Sequence, residues 1–402
     1  MFAFGGPILV LPELLPDAAR PGVVVVAVGA LVLAVALLRS SRGVRFATGA
    51  LGLASLSGYL VAEGSQGALS HFTGLAFGLF WMAALTYWCT SEARLRAATT
   101  LMALGGVGIL LAAMVGADVR MLYGMDVRSW FPPTSLGLPG LPASGLVNQN
   151  ALAAAVLLLV PLGPVLLCLP GQAGGGSSGL RFIGGLLTAV SGLGLVLADS
   201  RTAWVTVWLT LAVMVQYSRW PAPRRARWLL GLVGLPVLAA SALWAGNSGL
   251  RDRMTASATF SVERRFEIWG QAADELATAP WLGIGLNRFR DVYDPPFQAS
   301  PSFDIAHAHN IFVQTALDVG FVGLGAYVAL IALLLARAAR AAHGTSLFAA
   351  RIAVAGGLVL VGAHIFGLGD AVSLGAKVGL FQWWASGLVL AAWQVQERIR
   401  LS

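Results

Sequence analysis

Apolar runs long enough to cross a bilayer recur along the whole chain, and this one feature decides what it can fold into. A spanning helix needs about 20 predominantly apolar residues. By that measure about twelve candidate spans can be placed, at roughly 2–16, 21–38, 46–62, 70–90, 97–116, 147–169, 182–198, 203–217, 228–245, 310–336, 352–369 and 376–393. Of the 402 residues, 57% are hydrophobic and 11% are charged. Soluble proteins carry about 25% charged residues. No soluble fold of this length hides so much apolar surface, so lipid must cover the remainder. The expected fold is all-α and polytopic, a multi-pass membrane protein.

The first run is short and carries Pro7, Pro12 and Glu13. It lacks the charged start and small-residue cleavage site of a signal peptide, so it is read as a retained span. Arg39, Arg42, Arg45, Arg94, Arg96, Arg181, Arg219, Arg224, Arg225, Arg227, Arg337, Arg340, Arg351, Arg398 and Arg400 all fall on one side when twelve spans alternate. Short Arg-rich loops mark the cytoplasmic side, which places both termini there. Residues 1–245 then hold helices one to nine, and residues 310–402 hold helices ten to twelve. Gly171 to Gly179 reads as a flexible cytoplasmic turn.

Two long segments lie on the opposite, extracytoplasmic side. Residues 117–146 are rich in Pro and Gly. In residues 246–309, Val262, Phe266, Trp269, Ala273 and Leu276 recur at spacings of three or four. That spacing predicts an amphipathic helix within the loop. Asn247 and Ser248, or Ser261, are candidate caps, and Pro280 would end the helix.

Several function classes are excluded. The net charge is +8, but the arginines sit in short loops and form no basic domain, so no nucleic-acid partner is expected. Cys89 and Cys168 both lie in apolar runs and read as buried thiols. No CxxC or His/Cys cluster suggests a disulfide framework or a zinc site. No P-loop, GxSxG or HExxH occurs, and no cofactor is expected.

Three extracytoplasmic features carry chemistry. The first is Asp199-Ser-Arg201-Thr-Ala-Trp204, between the seventh and eighth spans. An Arg at membrane depth is costly unless paired or facing a wet cavity, which makes Arg201 a functional candidate. The alternative is an interfacial Arg paired with Asp199. The second is Arg264-Arg265-Phe-Glu267-Ile-Trp269, followed by Pro280-Trp-Leu-Gly283-Ile-Gly285. Arg265 and Trp269 share a helix face. Here an anion-binding Arg competes with a surface ion pair to Glu263, Glu267 or Glu275. The third is His307-Ala-His309-Asn310, where the loop enters the tenth span. Histidine is suited to moving a proton at neutral pH. Helix capping and metal binding are the alternatives, and with no Cys or further loop His beside the pair, no metal is expected.

Together these features suit one reaction class. Two guanidinium groups can grip a diphosphate and hold the charge on it as it leaves. A nearby His can take a proton from an attacking hydroxyl. With no nucleotide-binding domain, the donor must arrive activated, as in a lipid diphosphate.

At this point the chain resembles the O-antigen ligase and O-antigen polymerase superfamily of bacterial membrane glycosyltransferases. The resemblance is best over about residues 145–335. It rests on Gly145-Leu-Val-Asn148-Gln149-Asn150-Ala-Leu-Ala153, Ser200-Arg201-Thr202-Ala203-Trp204, Arg265-x-x-x-Trp269, Pro280-Trp-Leu-Gly283-Ile-Gly285, and His309-Asn310 followed by Asp318-Val-Gly320-Phe-Val-Gly323. Many members carry Glu where Asp318 stands, which leaves the role of Asp318 open.

The resemblance implies about twelve helices, a periplasmic active site and metal-independent, inverting transfer from an undecaprenyl diphosphate-linked glycan. It implies Arg201 and Arg265 as diphosphate-binding residues and His309 as the activating base. Arg264, His307, Asn310, Asn148 and Asn150 are implied as supporting, substrate-binding positions, with Gln149 beside them. The acceptor is lipid A–core for a ligase, the first expectation, or another lipid-linked repeat for a polymerase. A protein-directed member would use a Ser or Thr hydroxyl. From a different class, a glycan flippase or secondary transporter would show repeated halves and midplane charges. The halves here do not resemble each other, and His71, His364 and Lys377 are the exceptions among ionisable residues that otherwise sit at the rims.

Overall fold

The computed structural model describes residues 19–62, 64–65, 67–116, 121–122, 125–126, 149–169, 178–217, 248–293, 307–372 and 374–402. The expected first and ninth spans, Asn148, Asn247 and the turn at 171–177 lie outside them. The helices in chain order are α1 (Arg20–Leu37), α2 (Arg42–Val61), α3 (Ala68–Trp88), α4 (Glu92–Gly116), α5 (Gln149–Leu157), α6 (Leu162–Leu167), α7 (Ser178–Leu197), α8 (Arg201–Tyr217), α9 (Ser248–Thr278), α10 (Phe289–Val292), α11 (Ile311–Ala341), α12 (Leu347–Phe366) and α13 (Leu380–Leu401). Two short strands, Met121–Leu122 and Met125–Asp126, pair antiparallel. Among the described residues, eight segments are long and apolar enough to cross a membrane. The chain is thus a helical membrane protein.

The chain divides into two compact units. The first comprises residues 1–102 and 268–402, the second residues 103–267. In the first unit α1 packs on α3, α2 on α11, and α13 on both α3 and α12. The buried face of α1 is Val23, Ala27, Ala30 and Ala34, at helical spacing, whereas Val25 and Val32 point outward. Outward valines of this kind belong against lipid, and small inward residues let helix backbones approach. Gly78 shows the close approach: a Cβ there would collide with the Trp383 ring. Buried hydroxyls bond back to their own helix, as Thr48 does to the Val44 carbonyl (2.8 Å) and Ser55 to that of Leu51 (2.6 Å). That leaves no polar group facing hydrocarbon at those positions. In the second unit α5 packs on α7 and α8, and α6 on α7.

The expected span at 147–169 falls on the candidate span Gln149–Leu167, within which a turn at 158–161 separates two helices, Pro161 supplying no backbone N–H. Two sequence expectations need correction. The amphipathic helix α9 begins at Ser248, so position 261 lies within it and not at its start. The last helix starts at Leu380, after a short 3-10 turn at Lys377–Gly379, and continues through the charged residues to Leu401.

Candidate active site

The site in the first unit is built around a break in α11. Gly320 has φ 68° and ψ −178°, a conformation essentially reserved for glycine. The break frees backbone groups that a continuous helix would pair, and the turn Pro280–Gly285 satisfies them. Ile284 N–H donates to the Leu317 carbonyl (2.8 Å), and Phe321 N–H donates to the Pro280 carbonyl (2.8 Å). Weaker bonds at 3.4 Å run from Gly285 to Leu317 and from Val322 to Trp281. Gly283, with φ 76°, sits so near Gly320 that a Cβ would strike the α11 backbone. The two glycine motifs of the sequence are therefore one joint.

Asp318, beside the break, is fully buried. Its Oδ1 accepts from the Asn287 N–H (3.0 Å) and from Gln314 Nε2 (2.9 Å). Gln314 Oε1 accepts in turn from the Ala308 N–H (2.8 Å). The Ala308 carbonyl accepts from Trp269 Nε1 (2.9 Å). The buried Ala308 peptide is thus fixed on both its polar groups, and His307 and His309 flank it. Asn310 caps α11, its Oδ1 accepting from the N–H groups of Phe312 (2.9 Å) and Val313 (3.2 Å). Its side-chain NH2 donates to the Leu368 carbonyl at 3.4 Å. This fills the N-terminal positions of the helix as a capping residue should.

His309 has a left-handed backbone, φ 49°. Its Nδ1 lies 3.2 Å from Asp370 Oδ1, and His307 Nε2 lies 3.6 Å from the same oxygen. Asp370 is 4% exposed and stands past the end of α12. Burial pushes its carboxyl upward. The hydrogen bond from His309, the two imidazoles and the Ala371 N–H outweigh burial and hold it below its ordinary value. An ionised carboxylate only accepts, so His309 Nδ1 carries the proton. Neutral His309 therefore presents a lone pair on Nε2.

His307 is locked in the other tautomer. The His309 backbone N–H donates to its Nδ1 (3.2 Å), so its own proton resides on Nε2, toward Asp370. Burial pushes His307 down to about 4, with Asp370 opposing and His309 and His71 reinforcing the shift. It stays neutral near pH 7. His307, His309 and Asp370 bring three potential metal-ligand atoms within 4.8 Å of one another. A metal on His307 Nε2 would force the proton onto Nδ1, against the His309 N–H. The hydrogen-bond pattern suits a proton-carrying pair better than a metal centre.

In the second unit, Ser200 caps α8 by accepting from the Ala203 N–H (3.3 Å), and Arg201 is the first, exposed residue of that helix. Gln149 Nε2 reaches the Leu197 carbonyl at 3.5 Å, two residues before the Asp199–Trp204 motif. Asn150 is exposed. Arg264 pairs with Glu267 (3.3 Å), the surface ion pair that was the alternative reading for this stretch. Arg265 is half-buried and lies one helical turn before Trp269.

Sequence reasoning missed Asp370 and Gln314. Asp370 had a signal, since it is an acidic residue at the end of an apolar run, and such residues are functional candidates by default. Gln314 had none. His364 is absorbed by an internal network, its Nε2 2.9 Å from the Tyr327 hydroxyl and its Nδ1 2.7 Å from the Leu360 carbonyl.

The fold and this cluster define a polytopic helical membrane protein with a His–Asp pair at its helix ends. Residues 186–328 match the family model described as O-antigen ligase, so over that stretch the chain is similar to the O-antigen ligase superfamily. The matched stretch includes Arg201, Arg264, Arg265, His307, His309 and Asn310, whereas Asp370 lies beyond it. No individually curated protein matches the chain.

Proposed function

We propose that this protein transfers a glycan from undecaprenyl diphosphate to an acceptor hydroxyl at the periplasmic face of the inner membrane. The acceptor we favour is lipid A–core. The observation that carries the reading is the pairing of His309 Nδ1 with Asp370, which directs the Nε2 lone pair away from the carboxylate.

In the proposed reaction the acceptor O–H gives its proton to His309 Nε2 as its oxygen attacks the anomeric carbon. The bond from that carbon to the diphosphate oxygen breaks, and undecaprenyl diphosphate leaves with the electron pair. Arg201 and Arg265 hold the diphosphate and the charge gathering on it, since guanidinium forks match its oxygens. Asp370 stabilises the imidazolium, as a carboxylate does in hydrolytic triads. One displacement inverts the anomeric centre, and no metal takes part. Arg264, His307, Asn310, Asn148 and Asn150 are the supporting, substrate-binding positions of this reading.

The test is transfer by the purified full-length chain from lipid-linked glycan to lipid A–core. His309→Ala or Arg265→Ala should lower the rate at least about 100-fold, and the product anomer should be inverted. A retained anomer, or full activity in His309→Ala, would overturn the mechanism. The family match equally admits a polymerase joining lipid-linked repeats. A deletion strain separates the two: loss of all capped lipopolysaccharide indicates a ligase, and a single repeat on the core indicates a polymerase. Substrate translocation without bond formation would instead reveal a flippase.

A further inference from the structure

We infer that Gln314 is a positioning residue for the proton-accepting imidazole, acting through the Ala308 peptide. The inference rests on the reading of His309 as the base.

His309 occupies a left-handed backbone conformation, φ 49°, that a non-glycine residue adopts only under strain. Such a residue stays put only where its surroundings over-determine it. The Ala308 peptide immediately before it supplies that determination. Gln314 takes its N–H and Trp269 takes its C=O. Gln314 is 1% exposed, and both ends of its amide are used, one on Ala308 and the other on Asp318. Asp318 is anchored in turn by the Asn287 N–H. A chain of hydrogen bonds therefore runs from the Gly320 break to the loop that aims His309 at Asp370. It touches neither ring, so its influence is on ring placement. Leucine in place of Gln314 would bury the Ala308 N–H without an acceptor, and the peptide would turn to find one.

The expected outcome follows from what misplacing a base does. In the full-length chain, Gln314→Leu should lower kcat about 10–100-fold while leaving the donor KM within about twofold. Asp318→Asn keeps the accepting oxygen and should retain most of the activity, whereas Asp318→Leu should fall as far as Gln314→Leu. The double leucine variant should be no slower than either single one, because both cut the same chain. Trp269→Phe releases the other side of Ala308 and provides a second variant should Gln314→Leu not fold; it too should lower kcat and spare KM. Gln382→Leu is the control for burial alone. It removes a buried amide bonded to the Tyr327 hydroxyl (3.0 Å) and should lower Tm without lowering kcat. Unchanged kcat in Gln314→Leu or Trp269→Phe, or losses that multiply in the double variant, would overturn the inference. Activity in His309→Ala would instead refute the base reading itself, so the two failures are distinct.

Discussion

Gly320→Ala tests the joint on which the site is built. At φ 68° and ψ −178° an alanine costs roughly 1–3 kcal/mol in backbone strain alone. Its Cβ would also collide with the carbonyl of Trp281 and the nitrogen of Leu282. Both are main-chain atoms, so no rotamer change relieves the contact. If the turn separates from α11 instead, the hydrogen bonds of Ile284, Gly285, Phe321 and Val322 are lost. At about 0.5–1.5 kcal/mol net each, with two of them long, that route costs about 2–4 kcal/mol. The two routes are alternatives, so the expected destabilisation is about 2–4 kcal/mol. Gly325→Ala is the matched control, on the same helix with open space around it, and should be neutral or stabilising by up to about 1 kcal/mol.

The assay is thermal unfolding of both variants in detergent, with amide hydrogen exchange. Gly320→Ala should melt several degrees below the parent, and exchange should rise at residues 280–287 and 307–310. A Gly320→Ala protein with parental Tm and unchanged exchange over 280–287 would refute the reasoning, because α11 would then not need its break.

Asp370→Asn should lower kcat by about 100-fold or more with little change in KM, since the amide can no longer both fix the His309 tautomer and balance its charge. His307 sets a pH dependence of stability. Its folded value near 4 lies below an ordinary histidine value of 6.5, so the unfolded chain binds more protons between those limits. Stability therefore falls as pH drops from about 6.5 and levels off near 4, by at most about 3 kcal/mol. Unfolding followed from pH 7.5 to 4.5 should show a shallower decline in His307→Leu, and parallel curves would contradict it. Arg264→Ala removes an ion pair with a half-exposed Glu267 and should change Tm by less than a degree or two.

Helices were readable because bilayer thickness imposes a length that side-chain composition reveals directly. Expected spans at 21–38, 46–62, 70–90, 97–116 and 182–198 fall on α1, α2, α3, α4 and α7. Interruptions were harder. Pro161 could have marked the break between α5 and α6, but apolar character runs straight through it. In the site, His307 and His309 were visible as a pair beside a span, and their partner was not. Asp370 stands 61 residues after His309 and meets it only because α11 and α12 return the chain to the same end. Gln314 resembles any polar residue one turn into a helix, and its importance comes from two partners that no spacing rule brings together. The Asp318 position, left open by the departure from Glu, is explained by the Asn287 and Gln314 bonds.

Motif pieces that look independent in the sequence share one physical cause. A helix that breaks at Gly320 exposes main-chain groups near hydrocarbon, where leaving them unpaired costs several kcal/mol each. The turn after Pro280 pairs them, and its glycines are required by the closeness of that fit. The turn in turn delivers the Asn287 N–H to Asp318, and Asp318 holds the glutamine that holds Ala308. Trp269, at the other end of the Arg265-x-x-x-Trp269 motif, closes the loop on the carbonyl side. The break is therefore what makes the histidine loop rigid. A straight α11 would satisfy its own backbone and leave the Pro280 turn, Asn287 and Asp318 with nothing to connect, so His309 would lose its defined direction even with every site residue present.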